Sequence, residues 1–398
     1  MHDGRLLGAL PPVELAMPWW PEAADLVEAV RSRDGLEITV LRLIDCEPGR
    51  VYGGAISYLA EVESPPPPGA LRRWSPVSAD HPAEDPLANQ PLRQSWARPG
   101  GPRELLAWAD ERLLANGLRR TGPAEQRRTW NLSALWRIPT SEGRIWLKTV
   151  PAFFAHEGAV IDWIGEPIAP RLIDFAPGRA LISDIPGEPN HDVTDPAELR
   201  PMVTLLTNLQ HRALDRTDEL LALGVPDKRL RTMVGRIPSV VEEWGRDLQP
   251  GERTDLDHLL SGLPARLDAI GACGVPDTLV HGDFHPGNVA GTPGAYVILD
   301  WGDSFLGHPL IDELAFVRRL DGPLQAVARS WFVAAWQRIV PGADPAEAAR
   351  LLEPVLPLLA AVMYADFCAA IEPSERPYHA SDAVAMLRDA AAAGAATA

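Results

Sequence analysis

A chain of 398 residues, 46% apolar and 23% charged, has ordinary globular composition and enough length for two or three domains. No run of 18 apolar residues occurs, which excludes a membrane-spanning helix, and a formal net charge of −17 speaks against general nucleic-acid binding and serves either attraction of small cationic molecules or solubility alone. Three well-separated cysteines (Cys46, Cys273 and Cys368), with no CxxC pair, point to reduced thiols in a cytoplasmic protein and away from a disulfide or zinc scaffold.

Residues 1–63 read as a small α/β unit, with a helix in 19–33 and two strands, 36–46 and 52–62, around Pro48-Gly49. Residues 64–102 hold ten prolines and read as a polyproline-like or irregular connector. An amphipathic helix is predicted for 103–118. Strands are predicted for 127–137 and 144–150 around the turn Thr140-Ser141-Glu142-Gly143, a short helix for 155–163, and strand-like runs for 168–175 and 180–185. After Pro189 the pattern turns helical over 196–214, 228–248, 254–271 and most of the chain from Pro323 onward. Short apolar runs at 279–280 and 296–299 flank a turn-rich stretch. The class is therefore α+β, organised as 1–63, 64–102, 103–188 and 189–398.

The strongest pattern is Leu279-Val280-His281-Gly282-Asp283-Phe284-His285-Pro286-Gly287-Asn288, followed by Val297-Ile298-Leu299-Asp300-Trp301-Gly302-Asp303. A loop presenting Asp283 and Asn288, then a strand end delivering Asp300, suits phosphoryl transfer from ATP. A carboxylate orients and deprotonates the attacking hydroxyl, and hard oxygen donors hold magnesium against the phosphates. The spacing from Asp283 to Asn288 also matches the protein-kinase catalytic loop, and Asp300-Trp301-Gly302 stands where Asp-Phe-Gly would. Taken singly, Asp and Asn also favour turns for their own hydrogen bonds. His281 and His285 would need a helix to share a metal, and Gly282, Pro286 and Gly287 break one. Of the 37 basic residues only Lys148 and Lys228 are lysine, which singles out Lys148 at the end of Ile145-Trp146-Leu147.

Together with Gly307-His308-Pro309 and Asp312, these runs closely resemble the aminoglycoside phosphotransferase family over about 116–372. The resemblance implies a protein-kinase-like two-lobed fold, with a β-rich N-lobe and an α-helical C-lobe, and ATP and Mg2+ as cofactors. It implies Asp283 as the catalytic aspartate, Asn288 and Asp300 as magnesium ligands, and Asp312 as a buried brace for the loop. It further implies Lys148 on the α- and β-phosphates, held by Glu157 of His156-Glu157-Gly158, and the backbone around Ser183 to Ile185 at the adenine edge. The phosphate loop would be Thr129-Trp130-Asn131-Leu132-Ser133. It has no glycine, so backbone amides and the Ser133 hydroxyl are left to meet phosphate. No GxxxxGK[ST] sequence occurs.

The expected function is magnesium-dependent transfer of the γ-phosphate of ATP to a hydroxyl of a small cationic acceptor, such as an aminoglycoside or amino sugar. The same fold also serves choline, homoserine and ketosamine kinases. A reading from another class is a nucleotide-binding regulatory module without transfer, favoured by the glycine-free loop and opposed by the intact lysine, aspartates and asparagine. Trp331, Trp336 and Tyr364 either line a pocket or pack the core. Asp366, Glu372 and Glu375 fall in the family's acceptor region or on a solvated face. The expected partner is a small-molecule acceptor, not nucleic acid or membrane. The first hundred or so residues would cap the N-lobe, shape the acceptor site or mediate homo-oligomer contacts.

Overall fold

The computed structural model describes residues 1–17, 19–47, 52–66, 74–75, 87–185, 187, 189–379 and 381–396. The Pro48-Gly49 turn and Pro67-Pro68 of the proline run lie outside these. The chain clusters into two compact units. Met1–Ala152, Ile173–Asp184 and Phe367–Ala380 form the first, and Phe153–Leu172, Ile185–Asp366 and Ser381–Ala398 the second. Residues 1–63 thus cluster with the main sheet, while residues 153–172, read from sequence with 103–188, cluster with the second unit.

The first unit begins with helix α1 (Ala24–Asp34) and an antiparallel hairpin of β1 (Ile38–Cys46) and β2 (Ile56–Val62). Helix α2 (Gly101–Ala115) follows, then β3 (Glu125–Thr129), β4 (Ala134–Thr140), β5 (Gly143–Thr149), β6 (Leu172–Ala176) and β7 (Arg179–Ser183). The five strands form one sheet in the order β3-β4-β5-β7-β6. Burial alternates with period two along β4 and β5, so Trp136, Ile138, Ile145 and Leu147 enter one core with Leu105, Trp108 and Leu113 of α2. Trp96, from a one-turn 3-10 helix in the proline-rich stretch, is buried in the same core.

Three sequence expectations are corrected here. The strand expected over 127–137 is two strands, because the turn 130–133 intervenes and the Trp130 amide donates to the Ser133 carbonyl at 3.0 Å. The helix expected over 19–33 starts only at Ala24. The preceding backbone is used for pairing, with Ala23 N–H on the Arg127 carbonyl and Thr129 N–H on the Pro21 carbonyl. The strand expected from Ile168 starts at Leu172, after Pro170, which has no amide to donate.

The N-terminal hairpin is joined to the sheet by a side chain that acts as a strand. Gln126 accepts the Val40 amide at 2.8 Å and donates to the Val40 carbonyl at 2.7 Å, so one amide group satisfies both backbone groups of a buried residue.

The second unit is mainly helical. Helix α3 (Glu157–Ile164) is followed by α4 (Pro196–Ala213), α5 (Thr217–Ala222), α6 (Leu230–Val234), α7 (Ile237–Trp244) and α8 (Pro250–Ala272). Asp195 caps α4 by accepting the Ala197 amide, and Gln249 with Glu252 forms a capping box on α8. The helix expected over 228–248 is split into α6 and α7 at Gly235, with Pro238 in the first turn of the new helix. Two short antiparallel ribbons come next: β8 (Thr278–Val280) with β11 (Phe305–Gly307), and β9 (Val289–Ala290) with β10 (Val297–Ile298). Helices α9 (Leu310–Val317), α10 (Gly322–Ile339), α11 (Pro345–Leu352), α12 (Leu356–Ala370) and α13 (Asp382–Ala395) complete the chain. Trp336, Leu352, Leu358 and Leu387 share the core with Leu256 and Leu259 of α8, so Trp336 is a packing residue and not a pocket wall. Among the described residues no single helix is long and apolar enough to cross a membrane.

Candidate active site

The loop after β8 is built around a buried carboxylate. Asp312, on α9, accepts the Gly282 amide on Oδ1 at 2.9 Å, and the His281 amide and the Gln210 side-chain amide on Oδ2, each at 2.9 Å. Burial pushes Asp312 up to about 7, while these three N–H donors favour its ionised form. Gly282 sits at φ +89, and a Cβ there would collide with the Asp303 carbonyl oxygen, so the glycine of His-Gly-Asp is a steric requirement.

His281 is fully buried, and burial lowers its pKa, so the ring is neutral. Its Nε2 lies 2.7 Å from the Leu299 carbonyl and its Nδ1 lies 3.3 Å from the Asp283 amide. These partners assign the proton to Nε2. The ring packs against Trp301 at 4.6 Å between centroids. His281 thus braces the loop through two backbone contacts.

Asp283 presents a side chain about half exposed. Asn288 donates through Nδ2 to the Asp283 carbonyl at 2.8 Å and to Asp283 Oδ2 at 3.3 Å, which leaves its Oδ1 to serve as an acceptor or ligand. His285 accepts the Gly287 amide on Nδ1 at 3.0 Å and brings Nε2 to 3.5 Å from Asp283 Oδ2. His191 lies so close to Gly287 that a side chain there would strike it.

The second motif is stitched to the first. The Leu299 amide donates to the Asn288 carbonyl at 2.8 Å, so Asp300 directly follows a residue bonded to both His281 and Asn288. Asp300 is exposed and adopts φ 60, ψ 62, a left-handed conformation unusual for a non-glycine residue and typical of functional sites. Among the described residues no group of three or more His, Cys, Asp or Glu could hold a metal. The oxygen donors at this point are the Asp300 carboxylate and Asn288 Oδ1. That set fits magnesium, which takes one or two protein carboxylates and completes its shell with phosphate and water oxygens.

Helix α3 is locked to this turn. His156 lies immediately before it, with Nε2 at 2.9 Å from the Ser304 carbonyl, and burial lowers its pKa to about 4. Phe154 packs its ring 3.4 Å from the position a Gly302 Cβ would take. Glu157, buried at 3% exposure, opens the helix. Glu157 and the Asp300 turn therefore sit on elements packed against each other within the second unit.

The remaining expected residues lie in or beside the first unit. Lys148 occupies the face of β5 opposite the buried Ile145 and Leu147, directly across from Leu135 of β4 and Ala180 of β7. Ser133 is buried, and its hydroxyl oxygen accepts the Trp130 indole N–H at 2.9 Å. Ser183 ends β7 opposite Ile145, and the Asp184 amide that follows is spent on the Arg144 carbonyl at 3.1 Å. Ile185 begins the next segment of the second unit.

Some residues at the site were not assigned a role by sequence reasoning. Lys228 lies 5.1 Å over the Phe305 ring. Burial lowers its pKa against the opposing pull of Asp303 and Asp366. The scarcity of lysine marked Lys228 as much as Lys148, but no motif surrounds it. Tyr364, read as a core or pocket residue, is raised to about 12 by burial and then by the nearby carboxylates of Asp382, Asp283 and Asp303. Glu372 and Glu375 are corrected. They are neither acceptor-facing nor solvated, but buried at 2% and 1% exposure within the first unit.

Comparison with known families matches residues 149–361 to the model of a phosphotransferase enzyme family. No curated protein matches. Among solved structures, a macrolide 2'-phosphotransferase from Brachybacterium faecium is 16% identical with a TM-score of 0.49, covering 69% of this chain and 98% of that one. A choline/ethanolamine kinase family protein from Mesorhizobium loti is 16% identical with a TM-score of 0.45, covering 73% and 99%. A spectinomycin phosphotransferase, solved with ADP and spectinomycin, is 12% identical with a TM-score of 0.44, covering 73% and 98%. These likenesses are distant, and the matched segment of 149–361 carries the assignment.

Proposed function

The chain belongs to the phosphotransferase enzyme family, and on that premise we propose that it moves the γ-phosphoryl group of ATP to a hydroxyl of a small cationic acceptor. It is a phosphotransferase of protein-kinase-like fold, with a β-rich first unit and a helical second one. The observation that carries the reading is the Asp283–Asn288–Asp300 arrangement, in which two loops are hydrogen-bonded to each other and three oxygen-bearing side chains are left at their surface.

In this reading Asp283 orients the acceptor hydroxyl and takes its proton as the oxygen attacks phosphorus. His285, with Nε2 beside Asp283 Oδ2, and Asn288, donating to the same oxygen, hold that carboxylate in place. Asn288 and Asp300 would hold magnesium, which when bound neutralises charge on the phosphates. Lys148 supplies a compact ammonium to the α- and β-phosphates. Leu135 and Ala180, across from Lys148, and Ile182, two residues further along β7, give that face of the sheet an apolar surface suited to a nucleobase. The backbone of Ser183 to Ile185 meets its edge, and Ser133, whose oxygen already accepts an N–H, retains a proton to donate toward phosphate.

A cationic acceptor suits the surroundings of Tyr364, whose pKa is raised first by burial and then by the nearby carboxylates of Asp382, Asp283 and Asp303. The chain's formal charge of −17 draws cations in the same sense. The test is magnesium-dependent ATP consumption over a panel of amino sugars, aminoglycosides and amino alcohols. Turnover with at least one amine-bearing alcohol is expected. ATP binding without turnover on any acceptor would replace this reading with the regulatory one.

A further inference from the structure

The first unit contains a charged cluster that no step above uses. Glu372, in the stretch after α12, accepts Arg93 Nε at 3.0 Å and Arg93 Nη2 at 2.9 Å on Oε2, and its Oε1 lies 3.1 Å from Arg42 Nε. The three side chains are 3%, 7% and 3% exposed. Glu375, one turn on, accepts the Leu43 amide, and burial pushes it up to about 8. Buried ion pairs gain little net stability, but they penalise every arrangement in which one partner is missing. Arg42 comes from the N-terminal hairpin and Arg93 from the proline-rich stretch, so the extra N-terminal residues hold the segment 367–379 at one register.

That segment ends against the glycine-free turn. The Tyr378 ring stands edge-on between Trp20 at 5.9 Å and Trp130 at 5.8 Å, and His379 lies 5.9 Å from Trp130. Trp130 in turn closes the turn on itself, through its indole N–H to Ser133 Oγ at 2.9 Å and its amide to the Ser133 carbonyl at 3.0 Å, while its own carbonyl accepts the Trp96 indole at 3.1 Å. Asn131, at the tip, is fully buried, and among the described residues neither atom of its side-chain amide has a hydrogen-bond partner. A polar group buried without partners costs free energy, so it is the packing around Asn131 that holds the tip in place.

We infer that the segment 367–379 is a strap that fixes the 130–133 turn, and that Tyr378 is a positioning residue acting through Trp130. The inference rests on the reading that this turn meets a nucleotide phosphate. Where a glycine-rich loop adapts its backbone to the phosphates, this turn is ordered during folding by packing. The ordering entropy is then not charged against binding. The N-terminal residues thereby serve nucleotide binding without touching nucleotide.

The test measures ATP affinity of the full chain by calorimetry, with turnover followed separately. Tyr378→Leu keeps a buried apolar side chain and loses the edge-to-face rings, and it is expected to raise the Kd for ATP about fivefold to tenfold. Tyr378→Phe keeps the ring and is expected to stay within about twofold, and the acceptor KM should follow neither change. A folded Tyr378→Leu protein with wild-type Kd overturns the strap. Should that variant not fold, Arg93→Lys asks the same question by weakening the hold on Glu372 at the other end of the segment. A raised Kd supports the inference and an unchanged one overturns it. A wild-type chain that binds ATP but transfers to no acceptor defeats the proposed reaction and leaves the Kd comparison standing. A wild-type chain that binds no ATP defeats both.

Discussion

Asp312 Oδ1 holds the Gly282 amide at 2.9 Å across 30 residues of sequence, which joins helix α9 to the loop that carries Asp283. The loop's shape is thus set by a carboxylate that never reaches its surface. Two adjacent amides point at one side chain, and the positive φ of Gly282 turns the chain that follows them toward Asp283.

Removing that carboxylate leaves two backbone amides and the Gln210 amide buried without their acceptor. Asp312→Ala should destabilise the protein by about 3 kcal/mol or more, given about 1–3 kcal/mol per orphaned group. Urea unfolding checks this. A loss below about 1 kcal/mol would mean that the loop is held by something else.

Asp283 differs in kind, because its side chain is half exposed and its backbone, not its carboxylate, makes the shorter contact with Asn288. Asp283→Asn should therefore leave the melting temperature nearly unchanged while lowering kcat by about 10²–10⁴. A variant that keeps turnover within about threefold of wild type would remove Asp283 from the proposed base role.

Asp300 separates stability from activity most cleanly. Its φ of 60 suits glycine better than aspartate. Asp300→Gly is expected to keep stability within about 1 kcal/mol of wild type, because relief of backbone strain offsets the added freedom of the unfolded chain. Magnesium-dependent turnover should be lost. Parallel melting and turnover measurements decide it, and retained turnover at ordinary magnesium concentrations would sink Asp300 as a ligand.

Glu375 and Glu313 give stability a pH dependence of known sign. Burial first, then Glu372, raises Glu375 to about 8. Burial raises Glu313 to about 8 against the pull of Arg329, 3.6 Å away. Both values exceed the usual carboxylate value of 4.5, so between 4.5 and about 8 the folded chain holds protons that the unfolded chain releases. Their contribution is full below 4.5 and is lost as pH rises through about 8. Glu375→Gln cannot ionise and should flatten this fall. Comparing the two proteins at about pH 6 and about pH 8.5 checks it, and equal slopes would place the ionisation elsewhere.

The class of reaction was legible in the sequence, because it is written in short-range spacing. Asp283 to Asn288 is one loop, and Asp300 follows a short apolar run. Local covalent geometry keeps Asp283 near Asn288, while the Leu299 amide on the Asn288 carbonyl brings Asp300 to them. Where elements were misplaced, a distant partner overrode the local pattern. The helix expected from residue 19 gave up its first turn to pair with β3, 106 residues away for Glu22 and Arg128.

By itself, then, the sequence determined the class of reaction and the order of its parts, since these depend on residue types at fixed separations. Tertiary structure alone decided the fate of Glu372. Arg93, 279 residues away, takes it out of solvent, and no periodicity announces that. Burial and ion pairing depend on which surfaces meet, and which surfaces meet is a property of the whole packed chain rather than of any window within it.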